Sequence, residues 1–133
     1  MQFTRRFFLL ILVFLFVPGT GFAQSAVTQN AAQKSWNTFW NQFTSAVNRK
    51  SKAAVKALMA SESDFFSGGG GETRDEWLQM VHEQQWWGRL QKSVRAGTKI
   101  SNWGGKPGRV TNDNHLTFTY LRGRWRFTGL VGD

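Results

Sequence analysis

The chain has 133 residues, no cysteine, and 17 Lys and Arg against eight Asp and Glu, for a net charge of +9. This length allows one small domain, and the lack of cysteine excludes disulfide support and thiol chemistry. The positive charge favours acidic partners, such as nucleic acid, anionic lipid headgroups or cell-wall polymers.

Residues 1–23 have the three parts of a cleavable signal peptide. Arg5 and Arg6 give a positive start, residues 7–17 form an apolar run, and small residues precede the expected cleavage after Ala23. The run is 11 residues long, shorter than the roughly 20 apolar residues of a membrane anchor. The two arginines also fit a twin-arginine signal, so the export route stays open.

Export has consequences for the rest of the chain. We expect a periplasmic or secreted protein with a polar lead-in over residues 24–30, a single α+β domain over residues 31–133, and no transmembrane anchor after cleavage. Removing Arg5 and Arg6 lowers Lys plus Arg from 17 to 15, so against eight acids the mature net charge would be +7. Export also makes nucleic acid an unexpected partner. A homodimer is compatible with these observations.

The first part of the domain carries the patterns of three helices. A capping box at Asn30 and Gln33 predicts the start of a long helix. Ser51 can cap a short second helix, and Thr73 with Glu76 forms the capping box of a third. Spacings of three and four place a core-facing stripe on the first helix, formed by Trp36, Phe39, Trp40, Phe43 and Val47.

Glycine marks the ends and breaks of these elements. Residues 68–71 are four successive glycines, which are typical of a loop. Residues 86–97 fit either a kinked continuation of the third helix or a following strand, with a stop at Gly97. Residues 101–109 are expected to form a loop, because they contain three glycines and Pro107.

The last residues carry the clearest β pattern. Two alternating segments, residues 116–121 and 124–131, flank Arg122 and Gly123, which predicts a two-residue hairpin loop. The two segments then share one apolar face and one face of threonine and arginine. A strand near Val110 is expected beside them, because an isolated hairpin is marginal. The expected pairs are Leu121 with Arg124, Tyr120 with Trp125, Thr119 with Arg126, and Phe118 with Phe127.

This order of elements resembles the nuclear transport factor 2-like superfamily, in particular its small secreted SnoaL-like and ketosteroid-isomerase-like members. The resemblance is carried by the aromatic stripe at residues 36–47, the end of the second helix at 57–59, the step at 64–66 and the final strand at 123–127. It implies N-terminal helices packed on a curved, cone-like antiparallel sheet with a pocket. Many members carry an acidic residue between the first two helices, where residues 49–52 here read Arg-Lys-Ser-Lys.

Few residues have the types and spacing of catalytic machinery. His82, Glu83 and His115 are the acid–base candidates, because they are the two histidines of the chain and a carboxylate close to two tryptophans. His82 and Glu83 begin like a zinc-binding His-Glu-x-x-His helix, but Trp86 replaces the second histidine. We therefore expect no metal and no cofactor.

Aromatic residues are more frequent than the core of such a domain requires, so some are expected to line a ligand pocket. The predicted ligand-binding residues are Trp86, Trp87, Trp103, Phe118 and Tyr120.

Arginines form a second candidate surface. Arg122 lies at the hairpin turn, and Arg124 and Arg126 lie on its polar face, where they could recognise an anionic partner. Arg89, Lys92 and Arg95 recur at three-residue spacing and could do the same if their segment is helical. A solvated surface is the alternative for both sets.

The leading hypothesis is an exported α+β domain that binds a small apolar or aromatic ligand, or an anionic partner such as an acidic protein or an envelope component, without catalysis. Two alternatives stay open. One is an isomerase-like or cyclase-like enzyme with an acid–base group in its pocket. The other is a periplasmic inhibitor or immunity-type module that binds through its arginine face.

Overall fold

The computed structural model describes residues 20–131, with side chains from Ala26 onward, so the predicted signal peptide lies mostly outside the described residues. Within that part of the chain, four helices precede one antiparallel sheet whose strands follow chain order, which confirms the α+β class. The elements are α1 (Thr20–Asn48), α2 (Lys52–Leu58), α3 (Arg74–Glu83), α4 (Trp87–Arg95), β1 (Thr98–Trp103), β2 (Lys106–Thr111), β3 (Leu116–Leu121) and β4 (Arg124–Leu130).

Helix α1 begins earlier than the sequence predicted. It runs through residues 24–30, where a polar lead-in was expected, so Asn30 is an interior residue and does not cap the helix. The stretch contains neither glycine nor proline, and nothing in it interrupts a helix. The predicted stripe does face the core, since Trp36, Phe39 and Phe43 are buried.

The shorter helices have the caps that the sequence predicted. Ser51 Oγ accepts the Ala54 N–H at 3.2 Å at the start of α2. Thr73 and Glu76 form a capping box at the start of α3, with contacts of 3.2 and 2.9 Å. Residues after α3 continue as a separate helix and not as a strand, because Gln85 turns the chain with a φ of 55°.

The closing hairpin has the predicted register. All four expected pairs, from Leu121–Arg124 to Phe118–Phe127, are present around the Arg122–Gly123 turn. An irregularity in pairing between Thr117 and Phe118 marks a bulge, which bends a strand.

The prediction of a loop over residues 101–109 is wrong. Those residues form most of a hairpin between β1 and β2, whose turn is Gly104–Gly105 with φ of 56° and 78°. The glycines thus serve a tight turn that joins two strands. Pro107 fits in β2 although proline has no backbone N–H. The pairing of β2 with β3 begins only at Gly108, so no hydrogen bond to β3 is lost at Pro107.

The core lies between α1 and the inner face of the sheet. Phe43 packs against Phe118 and Phe127, with ring centroids 5.0 and 5.1 Å apart. Trp125 crosses the same interface, where its indole Nε1–H donates to the Ala32 carbonyl at 2.7 Å. These contacts fix the first helix on the last strand.

The chain after α2 extends the sheet at β4. Met59 and Phe66 each form a parallel bridge to this strand, with Phe127 and Gly129 respectively. Each of these two contacts with β4 is a single bridge and not a continuous strand. Among the described residues, no helix has the length and apolar character needed to cross a bilayer.

Candidate functional site

A cleft of about 640 Å³ lies between α3, α4, the glycine-rich loop and the ends of β3 and β4. We call it the helix–sheet cleft. Its lining residues are Ser67, Gly68, Gly70, Glu72, Trp77, Met80, Val81, Trp86, Arg89, Leu90, Lys92, Ser93, His115, Leu116, Leu130 and Val131.

The floor of the helix–sheet cleft is apolar. Trp77 and Val81 are four residues apart, so both lie on the inward face of α3, and both are buried. Leu90 of α4 and Leu116 of β3 are also buried. Because α3 and α4 are separated by the turn at Gln85, their apolar faces meet around this floor.

One edge of the cleft is positively charged. Arg89 and Lys92 are three residues apart on α4, so they lie on the same side of the helix, and both line the cleft. The Arg89 guanidinium lies over the Trp86 ring, 5.3 Å from its centroid. This cation–π contact orients an aromatic surface and a cation at the same edge.

The glycine-rich loop carries the opposite charge. Ser67 Oγ donates to Glu72 Oε2 at 2.7 Å, and this hydrogen bond lowers the pKa of Glu72. The carboxylate also folds over Gly70, where a Cβ atom would overlap it. The loop edge of the cleft is therefore anionic, and the α4 edge is cationic.

A polar cluster joins α4 to the β2–β3 turn beside the cleft. Ser93 Oγ donates to Asp113 Oδ2 at 2.7 Å, and His115 Nδ1 lies 3.3 Å from the same oxygen and 3.5 Å from Ser93 Oγ. Burial alone would raise the pKa of Asp113, but hydrogen bonds from Thr111, Ser93 and the His115 backbone hold it below its usual range.

This cluster has the residue types of a serine–histidine–aspartate triad but not its arrangement. In a triad the histidine accepts the serine proton, whereas the Ser93 hydroxyl donates to Asp113. Ser93 is also only 2% exposed. The cluster therefore connects two elements and has no activated nucleophile.

Among the residues predicted from the sequence to bind a ligand, act as acid–base groups or form a cationic surface, four line the helix–sheet cleft, namely Trp86, Arg89, Lys92 and His115, whereas Arg95 does not. Trp87 and Phe118 are core residues and are 4% and 0% exposed, so neither is available to a ligand. Their sequence spacing did not distinguish a pocket wall from packing. The spacing of Arg89 with Lys92 was the signal that best indicated the charged edge.

The other predicted aromatic residues lie elsewhere. Trp103 is 44% exposed and lines a separate groove beside Thr117, Thr119 and Thr128. Tyr120 packs edge-on against Trp125, with ring centroids 5.6 Å apart. The five aromatic candidates thus do not form one pocket.

His82 and Glu83 lie on the exposed end of α3 and are not among the residues that line the helix–sheet cleft. The Trp87 indole contacts His82 Nδ1 at 3.5 Å, and Gln79 donates to Glu83 at 2.7 Å. Neither side chain is near His115 in a common site. Within residues 20–131, no three His, Asp or Glu side chains cluster in a way that could hold a metal ion.

The three predicted arginines do come together. Arg122, Arg124 and Arg126 line a second cleft of about 580 Å³, with Lys56 and Arg74 among the other lining residues. We call it the basic cleft. It shares no lining residue with the helix–sheet cleft.

No protein-family model, curated protein or solved structure matches the chain. The resemblance to the nuclear transport factor 2-like superfamily therefore stays a prediction from the sequence.

Proposed function

We propose that the domain binds, without catalysis, a small molecule that has an aromatic or apolar body and an acidic group. The observation that carries this proposal is the combination, in the helix–sheet cleft, of an apolar floor with two cations at one edge. Ligand sites commonly have an apolar lining with a few placed polar groups, and volumes of roughly 300–1,000 Å³.

Each part of the cleft would recognise one part of such a ligand. The ring system would pack on the partly buried side chains of Met80, Trp86 and Leu130 and leave water, which favours binding by about 25 cal/mol per Å² of buried apolar surface. The acidic group would lie near Arg89 and Lys92 at the α4 edge. Glu72, on the loop edge, disfavours the reverse orientation because like charges repel.

The positions and contacts of the acid–base candidates His115 and Glu83 support a binding function more than a catalytic one. His115 lines the cleft, but its side chain is 60% exposed and its Nδ1 atom is engaged with Asp113 and Ser93. Glu83 is exposed and hydrogen-bonded to Gln79. Isomerase-like or cyclase-like chemistry needs an acid or base beside the bound substrate.

We also propose that the domain binds its ligand outside the cytoplasm, because residues 1–23 have the parts of an export signal. Membership of the nuclear transport factor 2-like superfamily is proposed on the order of the sequence motifs. A cone-like curvature of the sheet is proposed as well, and the bulge between Thr117 and Phe118 supports it.

A fluorescence titration with 8-anilinonaphthalene-1-sulfonate tests the binding proposal, because this dye combines aromatic rings with one anionic group. We expect saturable binding of one dye per chain. Trp86→Ala should weaken the affinity about tenfold through loss of ring contacts, and Arg89→Gln about fivefold through loss of the cation. Met80→Trp should weaken binding by filling the cleft.

Matched controls lie outside the cleft. Trp103→Ala removes a solvent-accessible tryptophan outside the cleft, and Arg95→Gln removes another charge from α4, so both should leave the affinity unchanged. Near-ultraviolet circular dichroism of every variant establishes that it is folded. Equal weakening by the controls, or no effect of Trp86→Ala and Met80→Trp, would overturn the proposal.

A further inference from the structure

The basic cleft is formed where three elements converge on the chain that follows α2. Met59 bridges to Phe127 of β4, and the Ala60 N–H donates to the Phe127 carbonyl at 2.9 Å. The exit of α2 is thereby fixed to the last strand. The start of α3 and the tip of the β3–β4 hairpin complete the walls.

Two guanidinium groups are held in place by backbone carbonyls in the last turn of α2 and just after it. Arg74 donates to the Ala60 carbonyl at 3.2 Å and to Glu62 at 3.1 Å. Arg126 donates to the Ala57 carbonyl at 3.1 Å. These bonds use two of the five N–H donors of Arg74 and one of those of Arg126, so each oriented group retains donors for a ligand.

The charges of the cleft do not balance. Glu62 pairs with Arg74, and Asp75 pairs with Lys56 at 2.7 Å. Arg122 lies 3.6 Å from Asp64. Among the ion pairs of the described residues, no carboxylate faces Arg124 or Arg126, which are two residues apart on the same face of β4.

We propose that the basic cleft binds a soluble compound that carries phosphate groups. A phosphate dianion matches the two unbalanced arginine charges. Its oxygens also accept hydrogen bonds from the paired N–H groups of a guanidinium. Such charge-assisted hydrogen bonds are shorter and stronger than neutral ones.

The shape of the cleft favours a compact ligand. Its volume of about 580 Å³ is that of a small-molecule site, whereas a membrane surface would need a flat or convex array of cations. Four of the five cationic residues in the lining are arginines, and the planar fork of arginine recognises phosphate more specifically than the ammonium of lysine. An acidic peptide and an anionic bilayer are the competing occupants.

Isothermal titration calorimetry with inorganic pyrophosphate, in a buffer without phosphate, tests this proposal. We expect one site per chain, with affinity lowered about tenfold or more in Arg124→Gln and in Arg126→Gln, since each removes charged hydrogen bonds. Arg95→Gln is the matched control, because it makes the same change in net charge outside the cleft. Arg124 is exposed, so its variant should fold even if Arg126→Gln does not.

Three further measurements separate the alternatives. Saturation with 8-anilinonaphthalene-1-sulfonate should leave pyrophosphate binding intact, because the clefts share no residue. Displacement of pyrophosphate by a hexaglutamate peptide at equal concentration would contradict the proposal, because the site would then prefer an acidic peptide. Arginine-dependent binding to phosphatidylglycerol vesicles in the absence of pyrophosphate binding would contradict it as well. In the calorimetry, an equal loss of affinity in Arg95→Gln would show that the basic cleft is not the binding site.

Discussion

Asp113 is the residue whose ionisation is most closely connected to the structure around the helix–sheet cleft. It accepts the Ser93 hydroxyl from α4 and the His115 backbone N–H from the β2–β3 turn. Burial opposes ionisation, but these hydrogen bonds outweigh it and lower the pKa of Asp113. The ionised carboxylate therefore joins α4 to the sheet.

We predict a pH-dependent contribution of Asp113 to stability. Because its native pKa is depressed, the contribution is complete above the unfolded value, near pH 4, and is lost as pH falls through the lower native pKa. Asp113→Asn should reduce the free energy of unfolding by about 1 kcal/mol at pH 7.

Urea denaturation of the parent chain and of Asp113→Asn at several pH values measures this contribution. The difference in unfolding free energy should shrink between roughly pH 4 and pH 2. Because the remaining carboxylates are common to both chains, the difference isolates Asp113. A gap that is constant down to pH 2 would show that ionisation of Asp113 does not stabilise the fold.

At the scale of elements, substitution of alanine for Gly129 and for Gly88 should change the free energy of unfolding in opposite directions. Gly129 has a φ of 136°, and a Cβ atom there would overlap the Phe66 carbonyl, so Gly129→Ala should separate Phe66 from β4. Gly88 lies inside α4 with open space around its Cβ position. Alanine there reduces the entropy of the unfolded chain.

We therefore expect Gly129→Ala to lower the free energy of unfolding by at least about 2 kcal/mol, and Gly88→Ala to raise it by about 0.5–1 kcal/mol. Thermal and urea denaturation of the two variants beside the parent chain provide the test. A stabilised Gly129→Ala protein would contradict the described contact between Phe66 and β4.

The same elements illustrate what the sequence could and could not predict. The β3–β4 hairpin was predictable because its alternation admits only one register around Arg122 and Gly123. The β1–β2 hairpin was missed because glycine and proline in residues 101–109 were taken as signs of a loop. Gly108 in fact lets the Trp103 indole and the Ser101 carbonyl approach β2, a close contact that sequence alone does not reveal.

On the scale of the whole molecule, the site was harder to predict than the fold. An apolar residue that faces a cleft has the same sequence spacing as one that faces the core, so Trp86 and Trp87 looked alike. Whether each is buried depends on how α3 and α4 meet after Gln85. Charged residues were more informative, because five of the six cationic residues predicted from spacing line one of the two clefts, Arg95 being the exception.

The arrangement of the whole domain places two chemically different clefts apart from one another. The helix–sheet cleft has an apolar floor with a cationic edge, and the basic cleft has anchored guanidinium groups with little apolar surface. The floor of the helix–sheet cleft belongs to the core, whereas Arg89 and Arg124 at the edges of the two clefts are exposed. Variants of exposed cleft residues such as these should therefore alter binding with small effects on stability.

The most direct test of the central claim is an NMR titration that follows the indole N–H signals of the seven tryptophans. On addition of 8-anilinonaphthalene-1-sulfonate, the signals of Trp86 and Trp77 should move and saturate together, while those of Trp103 and Trp125 stay fixed. Saturable movement of the Trp103 signal without Trp86, or no movement of any signal at millimolar dye, would contradict a ligand site in the helix–sheet cleft.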